Sequence, residues 1–98
     1  MSDEKLPSKV LIVDNDPSIA KQLATALTRY KITAVCAGNW EEAIYHFNTA
    51  RFDLCVIELE LTDMPGTALI QKWRNHDSVT KQNTAFILAT TKKSSNSD

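Results

Sequence analysis

The strongest constraint on this chain is an alternation. Four short apolar runs, KVLIVD (9–14), ITAVCA (32–37), DLCVIEL (53–59) and TAFILATT (84–91), are separated by three segments whose apolar residues recur at helical spacing. Continuous apolar runs of this length suit strands buried on both faces of a parallel sheet. Between them, Ile19, Leu23 and Leu27 repeat every four residues with Ala20 and Ala24 beside them, Trp40, Ile44 and Phe47 share a face, and so do Leu69, Ile70 and Trp73. These are the inward stripes of three amphipathic helices. The punctuation agrees. Asp16 can cap the first helix and Pro17 fits its first position. Gly38 ends the second strand, and Asn39 with Glu42 has the spacing of a capping box.

The order β-α-β-α-β-α-β predicts a parallel sheet with helices on both faces. Right-handed crossovers then give strand order 2-1-3-4. The chain reads as one domain over residues 1–98, with polar tails at 1–8 and 92–98. In open sheets of this kind ligands bind beyond the carboxyl ends of the strands, where the strand order switches. Here the switch lies between strands 1 and 3, and the residues at those ends are Asp14, Asn15 and Asp16 on one side and Glu58 on the other.

Charge and composition exclude several classes. With 11 basic and 12 acidic residues the net charge is −1, so there is no electrostatic footprint for nucleic acid or a membrane surface. No run has the length of a membrane-spanning helix, and MSDEKLPSK is too polar for a signal peptide, which makes a cytoplasmic location the default expectation. Cys36 and Cys55 sit in apolar runs and are expected to be buried, reduced thiols. His46 and His76 stand alone, which argues against a Cys/His metal site. Trp40 and Trp73 are expected in the core. The turn after strand 1, DNDPS, has no glycine to cradle a pyrophosphate, which counts against a nucleotide-binding enzyme.

Two carboxylates brought together from neighbouring strand ends repel unless a cation or solvent intervenes. One reading of Asp14, Asn15 and Glu58 is therefore a small Mg²⁺ site beside a phosphate-handling position. The other is local: Asp16 caps a helix, Asp14 ends a strand and Glu58 points to water.

Three stretches carry a resemblance. VLIVDNDPSIAKQL looks like the first strand and helix of response-regulator receiver domains, FDLCVIELELTDMPG resembles their third strand and following loop, and AFILATT their fourth strand. The likeness runs from Lys9 to Thr91. It implies a flavodoxin-like three-layer α/β fold and a signalling role with protein partners, a histidine kinase or a downstream output protein. In the family, an aspartate at the end of the third strand accepts a phosphoryl group from a kinase phosphohistidine. Two acids after the first strand bind Mg²⁺, and a Thr or Ser at the end of the fourth strand contacts the phosphoryl group. Carried over, these positions are Glu58, Asp14 with Asn15, and Thr90.

Three departures follow. Glu58 stands where the family has the acceptor aspartate, and its extra methylene displaces the carboxylate from the in-line position, where a shift of about 1 Å can cost on the order of 10²-fold. Asn15 replaces one acid, so Mg²⁺ binding by Asp14, Asn15 and Glu58 is expected to be weak or absent, and no cofactor is required. Asp53 and Asp63 are poor substitute acceptors, one at the wrong end of the strand and the other in the loop beyond it. Third, the sequence stops in what resembles the loop after the fourth strand, before the family's last helix, strand and helix and the lysine they carry. Lys92 and Lys93, just past Thr90, do not match that lysine. The polar ending reads as a piece of a longer protein or a short form of the domain.

The leading expectation is a pseudo-receiver, not an enzyme, acting through protein contacts. The alternatives are a Mg²⁺-dependent phosphorylatable regulator and a ligand-sensing pseudo-receiver. With no fifth strand, 84–91 would be an open apolar edge, which predicts self-association or a homodimer through it.

Overall fold

A computed structural model of the chain describes residues 7–59, 65–75 and 84–89. Its elements are β1 (Lys9–Val13), α1 (Pro17–Thr28), β2 (Thr33–Ala37), α2 (Trp40–Thr49), β3 (Leu54–Glu58), α3 (Gly66–Arg74) and β4 (Ala85–Ala89). All four strands are parallel and lie in the order β2-β1-β3-β4. Both the alternation and the strand order follow the expectation from sequence. The tails at 1–6 and 90–98 lie outside the described residues, as do the loop 60–64 and the connection 76–83.

The period-two alternation of each strand divides the core between two faces. On one side Leu11, Val13, Ala37, Cys55 and Ile57 pack with Ala43, Phe47, Leu69 and Trp73 from α2 and α3. On the other, Val10 and Ile12 pack with Ala20 and Ile32, backed by Leu23, Ala24, Leu27, Leu54 and Val56. The α2–α3 side is the aromatic one. Trp73 lies 5.6 Å from Trp40, 5.3 Å from Phe47 and 5.5 Å from Phe86, ring centre to ring centre. Both tryptophans are thus packing residues, Trp73 fully buried and Trp40 partly.

The helix ends use the residues the sequence offered. Asp16 accepts from the amides of Ser18 (3.0 Å) and Ile19 (3.4 Å), and Pro17 opens α1. Asn39 Oδ1 accepts from the Glu42 amide at 2.9 Å, but Glu42 returns its carboxylate to the Gly38 amide at 2.7 Å rather than to Asn39. The box is shifted outward by one residue and so also fixes the exit from β2. At the far end of α1 the chain closes through Lys31 N–H to Thr28 O and Ile32 N–H to Leu27 O, with Lys31 in the left-handed region at φ 63°. This pattern of bonds is a Schellman motif, a position that favours glycine.

One expectation fails here. Cys55 is buried, but Cys36 is exposed. β2 is an edge strand, so its apolar run is not covered as completely as that of a central strand. The Cys36 sulfur still rests 3.7 Å from Ala20 O.

Candidate functional site

The switch point sits where the sequence placed it. β1 and β3 are neighbours, with Val13 opposite Ile57, so the next residues along each strand, Asp14 and Glu58, leave the sheet side by side at its carboxyl end. Glu58 is itself in register with Ala89 of β4. Asp14 and Glu58 border one small cavity, about 10 Å³ in volume, whose other described walls are Ile12, Val13, Ile19, Ala20, Leu23, Val56 and Ala89. That is room for about one water. Ile19 and Leu23 were legible only as core positions of α1; that they also wall this cavity depends on the helix lying across the ends of β1 and β3.

The β1–α1 turn is built by a relay of carboxylates. The Asp14 amide donates to Ala37 O at 3.0 Å, which extends the β1–β2 pairing by one residue. Asp14 Oδ1 then accepts from the Asp16 amide at 2.9 Å, and Asp16 Oδ1 caps α1. Each short acid organises the turn one step further along, the usual use of Asp beside a helix start. Asp16 therefore has the capping role anticipated for it, and Asp14 combines a local role with its place at the switch point.

Glu58 does not point to water. It is 2% exposed and Asp14 is 4% exposed, so the purely local reading of Glu58 is corrected. The reason is geometric: Leu54, Val56 and Glu58 share the face of β3 that looks toward α1, and Glu58 follows the apolar residues into that layer. Between Asp14 and Asp16, the Oδ1 atom of Asn15 is buried as well, and the residue makes interactions of its own. Thr90, expected beside the acid pair, lies outside the described residues, as do Asp63, Lys92 and Lys93.

Burial of the Cys36 thiol, and then the nearby Asp14 charge, hold its pKa above the ordinary thiol value. Cys55 is pushed further up by burial alone. Both are thus poor nucleophiles. Asp53 lies at the opposite end of the sheet. Its Oδ2 accepts from the Ser8 amide (2.8 Å), the Ser8 hydroxyl (2.8 Å) and the Lys9 amide (3.0 Å), which ties the start of β1 to the start of β3. Sequence reasoning set Asp53 aside as remote from the switch point; nothing in the pattern announced this clamp, because its partners lie 44 and 45 residues away.

These donors do not suit a hydrated Mg²⁺. One Asp14 oxygen is already engaged, both carboxylates are almost fully buried, and the adjoining cavity has room for about one water, whereas Mg²⁺ normally keeps several. Among the described residues no group of three or more His, Cys, Asp or Glu side chains could hold a metal ion.

Known proteins place this geometry. The family model "Response regulator receiver domain" matches residues 10–98. The transcriptional regulatory protein PmrA of Pectobacterium parmentieri is 33% identical over 69 residues, which is 70% of this chain and 31% of PmrA. The chain thus spans less than a third of that relative's length. Among solved structures, chemotaxis protein CheY4 of Vibrio cholerae superposes with TM-score 0.76 at 23% identity, over 92% of this chain and 73% of that one. A chain from the complex of histidine kinase ThkA with response regulator protein TrrA gives TM-score 0.71 at 25% identity, over 93% of this chain and 75% of that one. With the parallel 2-1-3-4 sheet, and with Asp14 and Glu58 at its switch point, these likenesses lead to one assignment: the chain belongs to the response-regulator receiver domain family.

Proposed function

We propose that this receiver domain is a pseudo-receiver. It signals through protein contacts and does not accept a phosphoryl group at Glu58. The observation that carries this reading is the burial of Glu58 beside a cavity of about 10 Å³. A phosphoryl group brings about −1.5 to −2 charges and three acceptor oxygens, and the space next to Glu58 cannot take it without moving α1 or the end of β4. Glutamate fills the position sterically while bringing one charge and two oxygens.

On this reading Mg²⁺ binds weakly or not at all and no cofactor is needed. The roles of Asp14 and Asn15 are then to build the turn, and Thr90 has no phosphoryl group to contact. The domain is not an enzyme, resides in the cytoplasm and does not itself bind nucleic acid. None of the described helices is long and apolar enough to cross a membrane. Its partners are proteins: a histidine kinase, as the ThkA–TrrA complex illustrates for its own components, a downstream output protein, and a second copy of itself at the open edge of β4.

The test is native mass spectrometry before and after incubation with acetyl phosphate and Mg²⁺, on wild type and Glu58→Asp. The expected result is no phosphoryl increment on wild type. An increment on the variant alone would locate the block in the glutamate side chain. An increment on wild type would overturn the proposal in favour of a phosphorylatable regulator.

A further inference from the structure

The edge of β4 has a definite bonding pattern. The Ala85 amide donates to Asp53 O at 3.0 Å and Ala89 O accepts from the Leu59 amide at 2.7 Å. Backbone groups alternate sides along a strand, so Ala85, Ile87 and Ala89 spend theirs on β3. Phe86 and Leu88 direct theirs away from the sheet. Among the described residues β3 is the single strand beside β4. The two most exposed large apolar side chains of the sheet lie on this strand, Ile87 at 47% and Leu88 at 37%. It carries no charge, no proline and no bulge, the features by which edges are usually blocked.

We propose that β4 pairs antiparallel with β4 of a second copy about a twofold axis at Ile87, giving one continuous sheet in the order 2-1-3-4-4-3-1-2. A twofold sets each residue against its reflection in the strand, so an edge can self-pair only if it tolerates its own reverse. Ala-Phe-Ile-Leu-Ala does. Its full overlap sets Ala85 against Ala89, Phe86 against Leu88 and Ile87 against itself, with large residues opposite large and small opposite small. Phe86 and Leu88 then form the two hydrogen-bonded pairs, which satisfies every outward backbone group of the strand. Ile87 becomes the non-hydrogen-bonded pair, the kind with the closest side-chain approach. Since the strand is neutral, no like charges meet across the axis. The area argues for a modest dimer: one five-residue edge buries less than the roughly 1,200 Å² of a standard stable interface, so association should depend on concentration. This inference rests on the self-association read from the open edge and adds its register.

Sedimentation velocity on the 98-residue chain across a concentration series tests the association. Cysteine cross-linking tests the register. In a Cys36→Ser background, which removes the exposed native thiol, Ile87→Cys should form a covalent dimer after mild oxidation. A non-hydrogen-bonded pair holds its Cα atoms about 4.5 Å apart, inside the disulfide range of roughly 4.4–6.8 Å. Leu88→Cys, set against Phe86, should not cross-link, and Ile87→Lys should abolish the dimer while leaving the circular dichroism spectrum unchanged. If the Ile87→Cys variant dimerises but its introduced thiol stays reduced, the register alone is overturned. A monomer at every concentration would overturn both the register and the self-association beneath it. Neither result bears on whether Glu58 accepts a phosphoryl group.

Discussion

Trp73 offers a quantitative check on the core. It is fully buried at the centre of the aromatic cluster between α2, α3 and the sheet. Its indole Nε1–H is also buried and has no acceptor among the described residues. Two substitutions separate these facts. Trp73→Ala removes the packing and leaves a large cavity, at a cost of about 3–5 kcal/mol. Against the roughly 5–15 kcal/mol that holds a small domain together, that is enough to leave the variant partly or wholly unfolded. Trp73→Phe keeps one ring against Phe47 and Phe86. It forfeits roughly 40 Å² of apolar contact, about 1 kcal/mol at about 25 cal/mol/Å², plus a smaller cavity penalty. It also removes a buried unsatisfied donor, worth about 1–3 kcal/mol. The two effects oppose, so Trp73→Phe should stay within about 1 kcal/mol of wild type, a midpoint shift of no more than about 8 °C at this size. Urea and thermal unfolding followed by circular dichroism measure both variants. If Trp73→Phe loses as much as Trp73→Ala, the indole N–H is satisfied after all and the bookkeeping is wrong.

Other expectations are smaller and cheaper to check. Asp53 has its carboxyl pKa held down by the Ser8 hydroxyl and the Ser8 and Lys9 amides, so its stabilisation is complete above the ordinary carboxylate pKa and is lost as pH falls through the lowered one. Because the clamp is exposed, Asp53→Asn should cost only about 1 kcal/mol near neutral pH; a deficit in urea midpoint that does not shrink in acid would contradict the assignment. In a thiol titration of native protein, Cys36 should react more slowly than a free cysteine and Cys55 only on unfolding. Asp14→Asn should speed the Cys36 reaction, since the Asp14 charge contributes to its raised pKa, and an unchanged rate would count against that coupling. Lys31→Gly should stabilise the fold by about 0.5–1 kcal/mol. The left-handed penalty of roughly 1–2 kcal/mol is relieved, less about 0.4–1 kcal/mol for the looser unfolded chain. A lower melting temperature would show that the Lys31 side chain matters more than its backbone.

The order of elements was legible because each strand announces itself as an apolar run and each helix as a stripe with a cap. Asp16, Pro17 and Asn39 perform the roles their types predict. Element ends were less legible. The periodicity of α1 runs to Tyr30, yet the helix stops at Thr28 because the bonds from Lys31 and Ile32 back to Thr28 and Leu27 close it early. Cys36 misled because an apolar run does not say whether its strand is central or at an edge. Asp53 went unread because its clamp joins residues far apart in sequence. The meeting of Asp14 and Glu58 was readable from topology, since strand order fixes which carboxyl ends are neighbours. Their burial was not, because it depends on how α1 crosses the strand ends.

The burial of Glu58 bears on what the glutamate does. At a strand end open to water, replacing aspartate by glutamate would alter reach and little else. Here the side chain belongs to the α1-facing row of β3, beneath Ile19 and Leu23, so its length is spent inside the layer between helix and sheet. A shorter aspartate at position 58 would leave that space to water or to a phosphoryl group, and occupancy could then change the packing of α1 against β3. Glutamate occupies it permanently with one fixed side chain. A ligand shifts an equilibrium only through its differential affinity for the two states. A site already filled by its own side chain offers little such difference, so this domain is expected to hold one arrangement of its switch point and to be read by its partners in that arrangement.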